Sequence, residues 1–185
     1  MKFIRADIPD LIICEPKILY DDRGFFTESF RKDLFEKFIG KKINFCQENM
    51  SKSKYGVLRG LHFQIEPHAQ SKLVSVLNGK ILDVVVDVRK KSKYYGKSFS
   101  IELDDHNNKQ LFVPKGFAHG FVVLSKTAKV SYKVDNYYHR ESERGLNYND
   151  PTLEIDWKIN SESIILNEKD IKYPEFKSGF FLTIK

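Results

Sequence analysis

Residues 72–88 read K-L-V-S-V-L-N-G-K-I-L-D-V-V-V-D-V. The apolar positions are valine, isoleucine and leucine, and the β-branched ones suit a pleated surface better than a helix. In an extended chain Leu82, Val84, Val86 and Val88 face one side, and Asp83, Val85 and Asp87 face the other. Asn78-Gly79, the dipeptide favoured in two-residue hairpin turns, separates the halves. The stretch therefore predicts two strands, 72–77 and 80–88, closed as a hairpin.

Working outward, further strands are predicted at 98–103, 110–113, 120–124 and 128–134. Short strands at this spacing, joined by turn residues, indicate a sandwich or barrel, so the fold class is all-β. Upstream, residues 8–20 read as short strands broken at Pro16. A turn at 22–24 then leads into an extended aromatic segment that points Phe26, Glu28 and Phe30 one way. Residues 31–39 carry Leu34, Phe35, Phe38 and Ile39 at helical spacing before Gly40, which predicts a short helix. Downstream, Asn149-Asp150-Pro151 marks a turn, 153–157 reads as a short strand or helical turn, and 167–170 reads as a helix start ahead of Pro174. No repeat, linker or low-complexity tract divides the chain. Residues 1–185 read as one domain, large enough to bury roughly 70% of its unfolded surface.

The composition, 41% apolar and 30% charged, is that of a globular protein. Aromatics reach 14%, which suits a β core and a pocket that grips flat rings. The net charge of +6 raises an anionic partner for consideration. The lysines are scattered, however, and the one dense run, R-K-K-S-K at 89–93, reads as a solvated turn between strands. No nucleic-acid partner is expected, and a small phosphorylated ligand needs only two or three placed cations. Cys14 and Cys46 make neither a disulfide framework nor a metal spacing and are read as reduced. Charges interrupt the apolar residues of the first ten positions, so no signal peptide is expected. No apolar run approaches the ~18 residues of a membrane span, so no membrane partner is expected and the cytoplasm is the expected compartment.

Two stretches carry chemistry. V-L-R-G-L-H-F-Q at 57–64 sets Arg59 and His62 three residues apart in an apolar segment, and P-K-G-F-A-H-G-F at 114–121 delivers His119 on what reads as a neighbouring strand. An unperturbed imidazole titrates near pH ~6.5 and can both take and release a proton near neutrality.

Together with further motifs these stretches give the chain a family likeness. D-x-R-G-F-F-x-E-x-F at 21–30, Q-x-N at 47–49, Ser71-Lys72, Tyr132-Lys133, Tyr137-Tyr138, E-R-G at 143–145, N-D-P at 149–151 and L-N-E-K-D at 166–170 follow in order. The sequence resembles the dTDP-4-dehydrorhamnose 3,5-epimerases, members of the cupin class, from end to end. The resemblance implies a cupin jelly roll (double-stranded β-helix) with a few short helices. It also implies an isomerase that removes and returns protons at C3 and C5 beside the ketone of a nucleotide-diphosphate-linked 4-keto-6-deoxy sugar. Relatives that act on other nucleotide sugars, including GDP-linked heptoses, or at C3 alone remain open alternatives, as does a 3,4-ketoisomerase of the same fold. Phe63, Val134-Asp135 and Tyr148 stand where the family more often has Tyr, Cys-Thr and Trp, which leaves the substrate open.

The roles follow from the same resemblance. His62 is the base and Asp170 its orienting carboxylate. Tyr132 is the opposite-face acid, whose phenol ordinarily holds its proton to about pH ~10. Lys72 stabilises the enolate, as a fixed cation in a dry site can. Arg59 and Arg23 have the fork geometry that grips a diphosphate. His119 lines the sugar pocket, while Phe26, Glu28, Gln47, Asn49, Tyr138, Glu143 and Lys169 fall on nucleotide and sugar positions. Many cupins hold a metal through His-x-His followed by a carboxylate, but here Gln64 takes the second position, so no metal or other cofactor is expected. The resemblance further implies a homodimer with N-terminal strands crossing to the partner.

Overall fold

Asn78-Gly79 turns a corner between two sheets instead of closing a hairpin. The strands it joins, Lys72–Asn78 and Lys80–Asp87, pair with different neighbours and never with each other. Its polar groups are answered from outside both strands. Gly79 N and Asn78 Nδ2 donate to Asp105 Oδ2 at 2.9 and 3.2 Å, and Lys80 N donates to Ser125 Oγ at 2.8 Å. The second strand is buried on both faces, so it sits centrally in a sheet where a hairpin partner would have displaced other cover.

The computed structural model describes residues 1–177. In chain order the strands are β1 Lys2–Arg5, β2 Ile12–Glu15, β3 Ile18–Asp21, β4 Gly24–Thr27, β5 Gln47–Lys54, β6 Leu58–Gln64, β7 Lys72–Asn78, β8 Lys80–Asp87, β9 Ser98–Asp104, β10 Gln110–Val113, β11 Phe117–Val123, β12 Thr127–Val134 and β13 Glu143–Gly145. Helix α1 is Lys32–Ile39 and helix α2 is Glu168–Ile171. One sheet has the order β1-β2-β10-β7-β12-β5, the other β13-β6-β11-β8-β9, and β3-β4 stand apart as a hairpin. From β5 to β8 and again from β10 to β13 the chain alternates between the sheets, and every strand pairing is antiparallel. That alternation makes the double-stranded β-helix of a jelly roll.

Each face of each sheet has its own cover. Val74, Val76, Ile81, Val85, Phe117, Phe121 and Val130 fill the space between the sheets. Leu82, Val84 and Val86 point the other way, with Leu58, Leu61 and Phe63, under the C-terminal residues Leu146, Leu153 and Trp157. The outer face of the first sheet is capped by α1, whose Phe35 is fully buried against Ile12, Cys14, Leu73 and Phe112. Residues 153–157 form neither strand nor helix; Leu153 and Trp157 anchor an irregular segment by burial, and Trp157 Nε1 donates to the Tyr148 carbonyl at 3.0 Å. The 89–93 run is a turn, but Arg89 is clamped rather than solvated, with Nε and Nη2 on the buried Asp87 carboxylate at 2.9 and 2.7 Å and Nη1 on Asp10 at 2.7 Å. Among the described residues no helix is long and apolar enough to cross a membrane.

Candidate active site

The polar end of the space between the sheets opens into a cavity of about 230 Å³. Five strands reach it: β5 with Gln47 and Asn49, β6 with His62, Phe63 and Gln64, β7 with Lys72, β12 with Tyr132, and β13 with Glu143, while Gln70 and Tyr138 complete the wall. His62 and Tyr132 therefore stand on opposite walls, one from each sheet. A larger cleft, about 460 Å³, lies near α1 and is lined by Arg5, Lys41, Lys42, Arg89 and Lys115, but no imidazole or phenol reaches it.

His62 is held at one ring nitrogen and open at the other. Its Nε2–H donates to Asp170 Oδ1 at 2.7 Å, while Nδ1 lies 4.0 Å from Glu143 Oε1 at the cavity wall. Asp170 is fully buried, and its second oxygen accepts the Gly60 amide at 3.2 Å. α2 brings the carboxylate here, its first turn capped by Asn167, whose side chain accepts from Asp170 N at 2.7 Å. A carboxylate on Nε2 fixes the tautomer that leaves a lone pair on Nδ1, the form a base requires. Gly60 also lets β6 lie close against β11: at φ 137° a Cβ there would stand 2.4 Å from Gly120 Cα.

His119 is the cross-strand neighbour of His62, as the neighbouring-strand reading required. It does not line the cavity. It is 6% exposed and gives Nε2–H to the fully buried Asp83 at 2.7 Å, and burial lowers its pKa despite that carboxylate. Lys72 does line the cavity, where burial brings its pKa down to about 8 against the pull of Asp83 and Glu143. Tyr132 is pushed above the ordinary phenol range, chiefly by burial and partly by Glu143, against Arg59. Glu143 stays below the usual carboxylate range: burial opposes ionisation, but Lys169 Nζ at 2.6 Å and Tyr138 Oη at 2.7 Å both donate to it.

Other expected residues are not brought in. Arg23 and Phe26 lie on the β3-β4 hairpin and Glu28 just after it, all exposed and outside the cavity wall. Arg23 is tied to its neighbour Asp21, and Arg59 donates through Nε to Ser53 Oγ at 3.1 Å. Gln64 and Gln70 were missed as lining residues. Gln64, two positions from His62 on the same strand face, was legible by alternation; its amide donates to the His68 carbonyl at 2.8 Å and accepts from His139 N at 2.7 Å. Among the described residues no cluster of three His, Cys, Asp or Glu side chains is arranged to hold a metal ion.

A paired imidazole, an opposing phenol and a cation beside them form a set suited to proton transfer at carbon. The family model for dTDP-4-dehydrorhamnose 3,5-epimerase matches residues 5–178. The dTDP-4-dehydrorhamnose 3,5-epimerase of Shigella flexneri is 47% identical over 176 residues, 95% of this chain and 96% of that protein. The crystal structure of the Elizabethkingia anophelis enzyme of the same name superposes with a TM-score of 0.92 at 50% identity, covering 96% of this chain and 97% of that one. A Legionella pneumophila dTDP-6-deoxy-D-glucose-3,5-epimerase, solved with dTDP-4-keto-L-rhamnose, gives 0.92 at 45% identity over 96% and 93% of the two chains. This chain belongs to the dTDP-4-dehydrorhamnose 3,5-epimerase family.

Proposed function

We infer that the protein is a nucleotide-sugar isomerase that inverts C3 and C5 of dTDP-4-dehydro-6-deoxyglucose to give dTDP-4-dehydrorhamnose. The observation that carries the reading is the His62–Asp170 pair, 2.7 Å long, on the wall opposite Tyr132 in a cavity that also holds Lys72.

The steps follow from the residues. His62 Nδ1 takes the proton from the carbon beside the ketone, and the C–H electron pair moves onto the carbonyl oxygen as an enolate. Asp170 stabilises the imidazolium so formed, and the Lys72 ammonium stabilises the oxyanion. Tyr132 then gives its phenolic proton to the opposite face of the same carbon, which completes inversion. His62 has gained a proton and Tyr132 has lost one, so solvent must reset both before the second carbon reacts. In the gluco configuration the hydrogens on C3 and C5 are axial on one ring face, so one base serves both carbons. Burial, which raises the Tyr132 pKa, makes the phenolate quick to recover its proton.

The nucleotide end needs groups this chain does not place in its own cavity. The β3-β4 hairpin exposes Leu19, Tyr20, Phe25 and Phe26 at 49, 74, 55 and 69%, an apolar surface of the kind an interface covers. We place it across a homodimer, delivering Arg23, Phe26 and Glu28 to the partner's cavity. There Arg23 joins Arg59 on the diphosphate, and Phe26 meets the base beside Gln47, Asn49 and Tyr138. Mixing His62→Ala with Arg23→Ala protein, each inactive alone, then restores roughly a quarter of wild-type activity, because half the dimers are mixed and each holds one intact site. No recovery on mixing would place the hairpin in its own subunit's site. Two free thiols, Cys14 buried and Cys46 half-buried, agree with a cytoplasmic setting.

The function is tested by incubating the protein with dTDP-4-dehydro-6-deoxyglucose in deuterium oxide. Label at C3 and C5 is expected, label at C3 alone marks a single-site enzyme, and bound substrate without label ends the epimerase reading. His62→Ala abolishes exchange and leaves dTDP affinity nearly unchanged.

A further inference from the structure

The strap formed by residues 167–176 closes the His62 side of the barrel and is fixed at several points. Asn167 caps α2, Asn147 N donates to the Pro174 carbonyl at 2.9 Å, Phe176 N donates to Asp150, and the Phe176 ring lies 4.8 Å from that of Tyr95. The strap carries Asp170 to Nε2 of His62, and it carries a second side chain to the same imidazole. The Tyr173 ring meets it edge to face, with centroids 5.4 Å apart and planes 63° from each other.

Tyr173 reaches that position through Gly145. Gly145 is the cross-strand partner of His62 on β13, and a Cβ there would stand 2.6 Å from three carbons of the tyrosine ring. Any other residue at 145 would occupy the place the ring takes. Burial first, then the Glu143 and Asp170 charges, push the Tyr173 phenol above its ordinary range, as a ring wedged beside the dyad requires.

A hydrogen bond at Nε2 fixes one atom of an imidazole but not its plane, because the ring can still pivot about that bond. The other nitrogen is the one that reacts, so the pivot moves the reacting atom. We propose that Tyr173 is a positioning residue for the base: its ring, seated on Gly145, locks the plane of the His62 imidazole so that Nδ1 stays aimed into the cavity. It acts through His62 and touches no substrate. The inference rests on His62 being the base.

Tyr173→Ala and Tyr173→Phe test it, with Tyr173→Leu, which keeps most of the packing, standing in if the alanine variant does not fold. A misplacement near 1 Å at a reacting atom costs about 100-fold. Tyr173→Ala is expected to lose about that factor in kcat, with KM and the dTDP dissociation constant within about twofold, and Tyr173→Leu at least tenfold. Tyr173→Phe keeps the ring and should stay within about threefold of wild type. Independently of turnover, the downfield proton resonance of His62 Nε2–H persists in wild type and Tyr173→Phe and is lost to solvent exchange in Tyr173→Ala. Wild-type kcat in Tyr173→Ala overturns the proposal. So does Tyr173→Phe falling as far as alanine, or a loss of dTDP affinity that matches the loss of kcat. Failure of the base reading looks different: His62→Ala turns over normally while the resonance still responds to residue 173.

Discussion

Replacing Asp170 by asparagine removes a charge without changing shape, and the geometry says why an amide fails there. The carboxylate answers two donors at once, His62 Nε2–H at 2.7 Å and Gly60 N–H at 3.2 Å. An amide has one acceptor. If its oxygen faces His62, its NH₂ confronts the Gly60 amide and leaves a buried donor unanswered, at a cost of about 1–3 kcal/mol. If it flips, Gly60 is satisfied but NH₂ faces Nε2, forcing the proton onto Nδ1, which then has no lone pair to accept hydrogen from carbon. In either orientation the imidazolium loses its counter-charge, on the order of 4 kcal/mol for unit charges 4 Å apart at an effective dielectric of 20. That corresponds to roughly a thousandfold in rate. Asp170→Asn is expected to slow deuterium exchange at both carbons by about 10³, with dTDP affinity preserved. Exchange within tenfold of wild type would refute the assignment of Asp170 and the tautomer argument with it.

Lys72 carries a pH prediction. With its pKa brought down from 10.5 to about 8, the ammonium is present below that value and lost above it, so kcat/KM should fall through an alkaline limb near pH 8. Between about pH 8 and 10.5 the unfolded chain holds the proton that the folded chain has released, so this group adds stability there as pH rises, and the limb is not unfolding. Lys72→Arg, whose guanidinium stays charged, should show no limb near pH 8 whatever its absolute rate; an unmoved limb assigns the titration elsewhere. Gly60→Ala combines a positive φ with a Cβ 2.4 Å from Gly120 Cα, so a loss of several kcal/mol, about 10 °C in Tm, is expected by thermal melting. A melt within 2 °C of wild type would mean β6 and β11 can move apart.

What the sequence made legible follows the range of each signal. Alternation along β8 placed Asp83 opposite Leu82 and Val84 correctly, because side-chain direction is a local property of an extended chain. The Asn-Gly turn was found and misassigned for the same reason: a dipeptide dictates a tight reversal but not which sheet receives the next strand. β5, Q-E-N-M-S-K-S-K, takes no bounds from the sequence, because an edge strand with polar residues on both faces has no apolar period to read. The partners of the two histidines lie far off in sequence, Asp83 at 36 residues from His119 and Asp170 at 108 from His62. Asp170 was reached through the L-N-E-K-D motif, and Asp83, outside any motif quoted for the resemblance, was not assigned a role. Tyr173 gave no signal either, since its contact depends on what is missing from Gly145.

His62 and His119 show how far environment, rather than residue type, assigns a role. They face each other across β6 and β11, and each gives Nε2 to a carboxylate at 2.7 Å. In the sequence each is a lone imidazole in an apolar stretch. They differ in what lies on the other side of the ring. The His62 side chain is 25% exposed and its Nδ1 reaches the cavity, whereas that of His119 is 7% exposed, with its pKa lowered by burial, so protonating it costs more. An imidazole that must become imidazolium in each half-reaction belongs where water and substrate can reach it. The buried pair acts on Lys72 instead, because the Asp83 charge, with that of Glu143, pulls against the burial that brings the lysine's pKa down to about 8. On the proposed reading, two similar dyads on adjacent strands divide the work, the accessible one moving protons and the buried one supporting the charge on Lys72.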